Sequence, residues 1–190
     1  MKTINEIFSE RTCYKFQSTP IEKGLLIKIY DLMKFGPTSG NSCPLRIIFV
    51  QSQQEKEKLM TCVAEMNKAK IASAPVTALF AYDLKFFTKM DKLYPTGKAL
   101  QQVFASSEAI AVDTAYRNSS LQAAYFMVIA RSMGLDCGGM SGFDQALVNE
   151  AFFKNTDLRI NFICNLGYRD GENPYPRLPR LDFDESCKIV

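Results

Sequence analysis

The sequence predicts an α+β or mixed α/β chain in which a small mixed sheet is sandwiched by helices. Three observations carry this. Apolar runs of strand length lie near 46–50, 76–82 and 159–168, and long helical stretches separate them. The third is a helical stretch at 113–133 that is apolar nearly all round and therefore central. A sheet of so few strands is small for 190 residues and leaves that helix short of cover. A homodimer with a large helical interface would supply it.

Each element follows in order. Residues 3–10 read as a short helix with Ile4, Ile7 and Phe8 on one face. Thr19-Pro20-Ile21-Glu22 reads as a helix start, with Thr19 as N-cap, Pro20 as first helical residue and Glu22 reaching back. That helix should run to about Phe35, where Gly36-Pro37 stops it. Arg46–Val50 is a strand whose continuous apolar character implies cover on both faces. Gln53 to about Met66 reads as one amphipathic helix with Leu59, Met60, Val63 and Met66 inward. Ala74–Tyr82 is a second buried strand with Pro75 at its start.

Residues 84–112 form an aromatic-rich excursion, expected as short helices with a joint near Pro95-Thr96-Gly97. The helix from about Asp113 to Met133 ends at Gly134. Gly138-Gly139-Met140-Ser141-Gly142 reads as a glycine-rich loop leading to Asp144 as N-cap of a helix through Phe153. Its spacing is not the dinucleotide fingerprint. Arg159–Tyr168 is a third strand. Residues 171–179 read as an extended surface segment, and Leu181–Val190 as a final strand or a tail embracing a partner. The whole of 1–190 is expected to be one domain, with 170–190 as a carboxy-terminal extension.

Composition narrows the function. At 47% hydrophobic and 23% charged the chain can build a sizeable core. The net charge of +3 is modest and spread out, which argues against nucleic acid or an anionic membrane as partner. No stretch suits a signal peptide or a bilayer span, so a cytoplasmic protein is expected. The six cysteines are scattered without a CxxC, as reduced core fillers would be. Histidine is absent. Ser-His and Cys-His nucleophiles, histidine-ligated metals and histidine acid–base chemistry are therefore unavailable. If the chain is an enzyme, a borrowed cofactor performs the hard step.

Three stretches are candidates for holding such a group. Arg11-Thr12-Cys13-Tyr14-Lys15-Phe16 sets two cations around small polar residues, which suits a phosphate, although a solvated turn is the commoner reading of such a cluster. Pro37-Thr38-Ser39-Gly40-Asn41-Ser42-Cys43-Pro44 is a polar loop, either a connection or a ligand edge. The glycines at 138–142 serve either backbone geometry or a flat ligand.

Taken with FGPTSGNSCP at 35–44, NSSLQAAY and GLDCGGMSGFD within 118–144, and NFICNLGY and PRLPRL within 161–181, the chain resembles the nitroreductase family of FMN-dependent oxidoreductases. Within it, the chain is similar to the short branch that includes malonic semialdehyde reductase. The resemblance implies a nitroreductase-like α+β fold and an intertwined homodimer with FMN at its interface. Arg11, Thr12, Cys13 and Lys15 are then expected at the FMN phosphate and ribityl end, with Arg180 and Arg177 as carboxy-terminal cations. Pro37, Thr38, Ser39 and Asn41 resemble the loop given by the second subunit. Asn67 and Lys70 resemble the pair at the pyrimidine edge, and Met140, Ser141 and Gly142 the loop near N5. Many relatives carry glutamate where this chain has Ser141.

The implied activity is transfer of hydride from NADH or NADPH through flavin N5 to a small organic acceptor, first of all a small aldehyde such as malonic semialdehyde. The alternatives are a general nitroaromatic or quinone reductase and a flavin-binding protein without turnover. No catalytic side chain is required, since the flavin carries the chemistry.

Overall fold

The computed structural model describes residues 2–172 and 175–190. Its helices are α1 (Ile4–Ser9), α2 (Lys23–Met33), α3 (Gln53–Met60), α4 (Glu65–Ser73), α5 (Met90–Leu93), α6 (Lys98–Ser106), α7 (Glu108–Ser132), α8 (Gln145–Phe153) and α9 (Phe183–Ser186). Its strands are β1 (Leu45–Val50), β2 (Val76–Asp83), β3 (Asp136–Met140) and β4 (Leu158–Gly167), in the order β1-β2-β4-β3. The fold is α+β, as expected, but the sheet is not mixed: every named pairing is antiparallel.

The two-residue period of β2 explains the layers. Val76, Ala78 and Phe80 face one side, where α2 and α7 cover them with Leu26, Ile29, Met33, Ala123 and Phe126. Leu79 and Ala81 face the other, against Leu59, Ile71, Val148 and Phe153. Phe80 anchors the first face, its ring 5.4 Å from Phe126 and 5.0 Å from Phe162. The register slips between Phe80 and Ala81, so Asn161 has no opposite partner. The bulge turns its amide to the hydroxyls of Ser119 and Ser120, both at 2.9 Å, fastening α7 across the sheet.

Several expectations need correction. The second helix does not start at Thr19-Pro20: it begins at Lys23 with Glu22 as N-cap and no side-chain cap. Strand β1 is an edge strand, half-exposed along its middle, so continuous apolarity there did not mean burial on both faces. The single helix expected over 53–66 is two, α3 and α4. The break has a tertiary cause. Val63 bridges to Phe143, Ala64 N donates to the Gly142 carbonyl at 3.0 Å, and Asp144 N donates to the Cys62 carbonyl at 2.8 Å. This pairing leaves Met66 outward and 75% exposed.

Gly138 and Gly139 lie in a strand rather than a loop, paired with Asn165 and Cys164. The tail forms the short α9 and otherwise stays extended and exposed. The surface segment expected over 171–179 includes 173 and 174, which lie outside the described residues. The central helix is longer than expected and starts at Glu108, with Ser107 as N-cap. The excursion does hold short helices around a break near 95–97, and Phe86, Met90 and Phe104 pack with Ala111 and Ala115 as their own cluster. All six cysteines are free, and Cys13, Cys62, Cys137 and Cys164 are buried.

Candidate functional site

After α1 the chain turns extended and is sewn to the end of the sheet. Cys13 N donates to the Cys137 carbonyl at 2.9 Å, Gln17 N to the Tyr168 carbonyl at 2.8 Å, and Asp170 N to the Lys15 carbonyl at 3.0 Å. Gly138 permits this approach, because a Cβ there would sit 2.8 Å from the Cys13 carbonyl oxygen. The segment is thus fixed in position by the edge strand β3 and the exit of β4.

That fixation gathers arginines from three parts of the chain. Arg11, Thr12, Arg131, Arg177 and Arg180 line a cleft of about 220 Å³ together with Glu10. The guanidinium groups are held mainly by backbone carbonyls. Arg131 donates to Glu10 O at 3.0 Å, Arg177 to Glu10 O at 3.1 Å and Ser9 O at 3.3 Å, and Arg180 to Pro179 O at 2.9 Å. Arg11 donates to Pro176 O. Carbonyls orient a guanidinium without cancelling its charge. The carboxylate of Glu10 is paired elsewhere, to Arg169 at 2.8 Å. A cleft with four arginines and one already-neutralised acid suits a polyvalent anion, and forked donors suit phosphate oxygens best.

Arg11 and Leu178 also border a wider cleft of about 600 Å³, lined further by Tyr14, Met66, Lys70, Tyr175 and Pro176. The two clefts therefore adjoin. Tyr14 and Tyr175 meet edge to face at 5.4 Å, and the Lys70 ammonium stands 5.0 Å over the Tyr14 ring. Lys70 also donates to Asn67 Oδ1 at 3.1 Å, while Asn67 Nδ2 donates to the Gly142 carbonyl at 2.9 Å. Asn67 is buried, so both ends of its amide are committed. A Cβ on Gly142 would meet Asn67 Nδ2 at 2.7 Å, so the contact requires glycine. Ser141 is exposed beside it, and Met140 is half-buried against the α3–α8 core. An anion-binding end continuing into an aromatic, cation-capped trough matches a phosphate-bearing cofactor with a flat ring.

The sequence-derived residues divide clearly. Arg11, Thr12, Arg177 and Arg180 come together in the first cleft. Lys70 lines the second, with Asn67 and Gly142 bonded behind it. Cys13 points inward, its Sγ 3.1 Å from the Lys15 carbonyl, and burial, then the nearby Asp136 carboxylate, push its thiol pKa up. Its contribution is a backbone one. Lys15 lies in neither cleft and pairs with Asp170 at 2.6 Å.

Pro37, Thr38, Ser39 and Asn41 lie elsewhere on the same chain. Ser39 N donates to Asn118 Oδ1 at 2.8 Å, Asn41 Nδ2 to Leu93 O at 2.7 Å, Cys43 N to Thr38 Oγ1 at 3.2 Å, and Tyr125 Oη to Pro37 O at 3.1 Å. Asn118 and Arg131 are separated along α7 by roughly 20 Å at 1.5 Å per residue. The chain by itself does not bring this loop to the arginine cleft.

Sequence reasoning missed Tyr14, Arg131 and the Glu10–Arg169 pair. One signal was available. In an extended segment Tyr14 shares a face with Thr12 and Lys15 with Cys13. Nothing in the sequence pointed to Arg131 or Arg169.

This fold and donor set define a class. A family model, Nitroreductase family, matches residues 7–168, and the chain belongs to that family. It is similar to the Polynucleobacter asymbioticus protein named "Putative NADH dehydrogenase/NAD(P)H nitroreductase", 45% identical over 190 residues, covering 100% of this chain and 96% of the relative. Among solved structures it shares its fold with a "putative nitroreductase in complex with FMN" from Exiguobacterium sibiricum, at TM-score 0.87 and 20% identity, covering 100% of this chain and 98% of the other. A nitroreductase family protein from Streptococcus pneumoniae superposes at TM-score 0.84 and 21% identity, covering 98% of each.

Proposed function

We propose that the protein is an FMN-dependent NAD(P)H oxidoreductase that reduces a small organic acceptor, with a small aldehyde such as malonic semialdehyde as the first candidate. The observation that carries this is the arginine cleft opening through Arg11 into the Tyr14–Lys70–Tyr175 trough. The names of the Polynucleobacter relative and of the FMN-bound Exiguobacterium structure support it.

Bound FMN supplies hydride transfer at N5. The chain's own work is then to bind and orient. Arg11, Arg131, Arg177 and Arg180 hold the phosphate, with Thr12 beside them. Lys70 would present its ammonium to the polar edge of the ring, held in place by the buried amide of Asn67. The ammonium of Lys70 would stabilise negative charge on that edge. Met140, Ser141 and Gly142, tied to Asn67 through the Gly142 carbonyl, would lie near it.

The functional unit in this reading is a homodimer. Several large apolar side chains stand exposed, among them Phe35 at 81% and Tyr116 on α7, and a partner subunit would cover such residues. The Pro37–Asn41 loop, remote from the arginine cleft of its own chain, would reach the partner's.

The absorbance spectrum of the purified protein tests the cofactor, and anaerobic NADH or NADPH titration tests the activity. Yellow protein that bleaches on titration is expected. Colourless protein that takes up no added FMN would overturn the reading. Nitroaromatic or quinone reduction is the rival, favoured by the relative's name. Steady-state kcat/KM on short aldehydes against nitroaromatics and quinones decides between them.

A further inference from the structure

Arg169 lies outside both clefts, yet it is the best-connected cation near them. One end of its guanidinium reaches Glu10 Oε2 at 2.8 Å. The other reaches Asp136 Oδ1 at 3.1 Å and the carbonyl oxygen of Arg11 at 3.4 Å. Its backbone N–H occupies the second oxygen of Asp136, at 3.1 Å. Its side chain is 20% exposed, against 43% for that of Glu10.

Glu10 is the problem this arrangement answers. It borders the arginine cleft, and both Arg131 and Arg177 grip its own backbone carbonyl. A carboxylate tethered there stands within side-chain reach of the same arginines that an incoming phosphate needs. Left unpaired, it would occupy one of them and repel the ligand. Arg169 pairs with that carboxylate and, through the Arg11 carbonyl, holds the backbone that carries the Arg11 side chain.

We propose that Arg169 is a positioning residue for the anion cleft, holding Glu10 neutralised so that the arginines remain available to a phosphate. The inference rests on the reading of that cleft as the phosphate end of an FMN site.

Dissociation constants of FMN and riboflavin, measured on the full-length chain by quenching of flavin fluorescence, test it. Riboflavin lacks the phosphate, so the ratio of the two constants isolates the cleft from the ring site. R169Q is expected to weaken FMN about tenfold, the size of one lost charge-assisted contact, and to leave riboflavin within about twofold. The double variant E10Q/R169Q is expected to recover most of the FMN loss, because the stray carboxylate is gone. Equal weakening of both flavins, or no recovery in the double variant, would overturn the proposal. Asp136 also depends on Arg169. If R169Q does not fold, R169K serves, since one ammonium cannot span both acids: an FMN-selective loss reversed by E10Q supports the proposal, and a non-selective one sinks it. A wild-type chain that binds FMN no better than riboflavin would instead overturn the phosphate reading itself.

Discussion

The side-chain amide of Asn67 donates to the carbonyl oxygen of Gly142 at 2.9 Å, tying α4 to the segment that follows β3. The same side chain accepts from Lys70 at 3.1 Å. One buried amide thus sets the position of both a cation and a backbone edge of the trough. Asn67→Ala should leave a carbonyl without its partner and free Lys70. A cost of about 1–3 kcal/mol follows for such a loss, and FMN affinity should fall about tenfold, read by flavin fluorescence. Unchanged affinity would separate Asn67 from the site.

Two adjacent glycines in β3 should respond differently to the same change. In Gly138→Ala the new methyl would lie 2.8 Å from the Cys13 carbonyl oxygen, backbone that is itself hydrogen-bonded to Cys137. In Gly139→Ala the nearest atom is the flexible end of Met127, at 3.6 Å. The first should destabilise by about 1–3 kcal/mol, as overpacking does, and the second by much less. Thermal unfolding of the two variants compares them directly; equal melting temperatures would contradict the packing.

Arg177 and Lys15 offer a contrast in charge removal. Arg177→Gln should weaken FMN about tenfold or more if Arg177 contacts the phosphate as proposed. Lys15→Gln should leave affinity within about twofold, because the structure pairs Lys15 with Asp170 instead. A larger loss from Lys15→Gln would return that lysine to the binding site.

Lys56 carries a pH signature. Lys56 is buried, 8% exposed, and its ammonium is bonded to the Ala74 carbonyl at the end of α4. Burial lowers its pKa from 10.5. The folded chain therefore releases this proton at a pH where the unfolded chain still holds it. Between the lowered value and 10.5 the unfolded state binds more protons, so the stability contributed by this group rises with pH. Lys56→Met removes the titration. The wild type should gain stability over the variant as pH approaches 10.5, measured by urea midpoints, and a gap moving the opposite way would refute the sign.

What was legible in the sequence was what local patterning decides. The central helix, the strand at 76–82 and the Asp144 cap all follow from apolar period and capping chemistry, and the structure has them. Misreadings fall where distant segments intervene. The helix expected across 53–66 breaks because Cys62 and Ala64 pair with residues eighty positions away or nearly so, and no local signal announces that. Gly138 and Gly139 carry no side chains to alternate, so their strand left no period to read. Thr19-Pro20 looked like a cap, yet the chain delays its helix to Lys23 while Ile21 joins the core.

The site follows the same division. Arg11 was visible as a residue type suited to an anion, and the carboxy-terminal arginines entered through the family resemblance. Arg131 was hidden as the last turn of an apolar helix, and Arg169 as one more charge after a strand. Only tertiary packing brings Arg131 into the cleft and sets Arg169 beside it.

Arg11 donates to the carbonyl of Pro176, 165 positions further along the chain, and that separation has a temporal meaning. A ribosome adding roughly 5–20 residues per second emits Arg11 about 10–30 s before Pro176, Arg177 and Arg180. For all of that interval the nascent chain owns half an anion cleft. If the cleft is the phosphate end proposed above, cofactor loading would wait for the segment carrying Arg177 and Arg180 to be made.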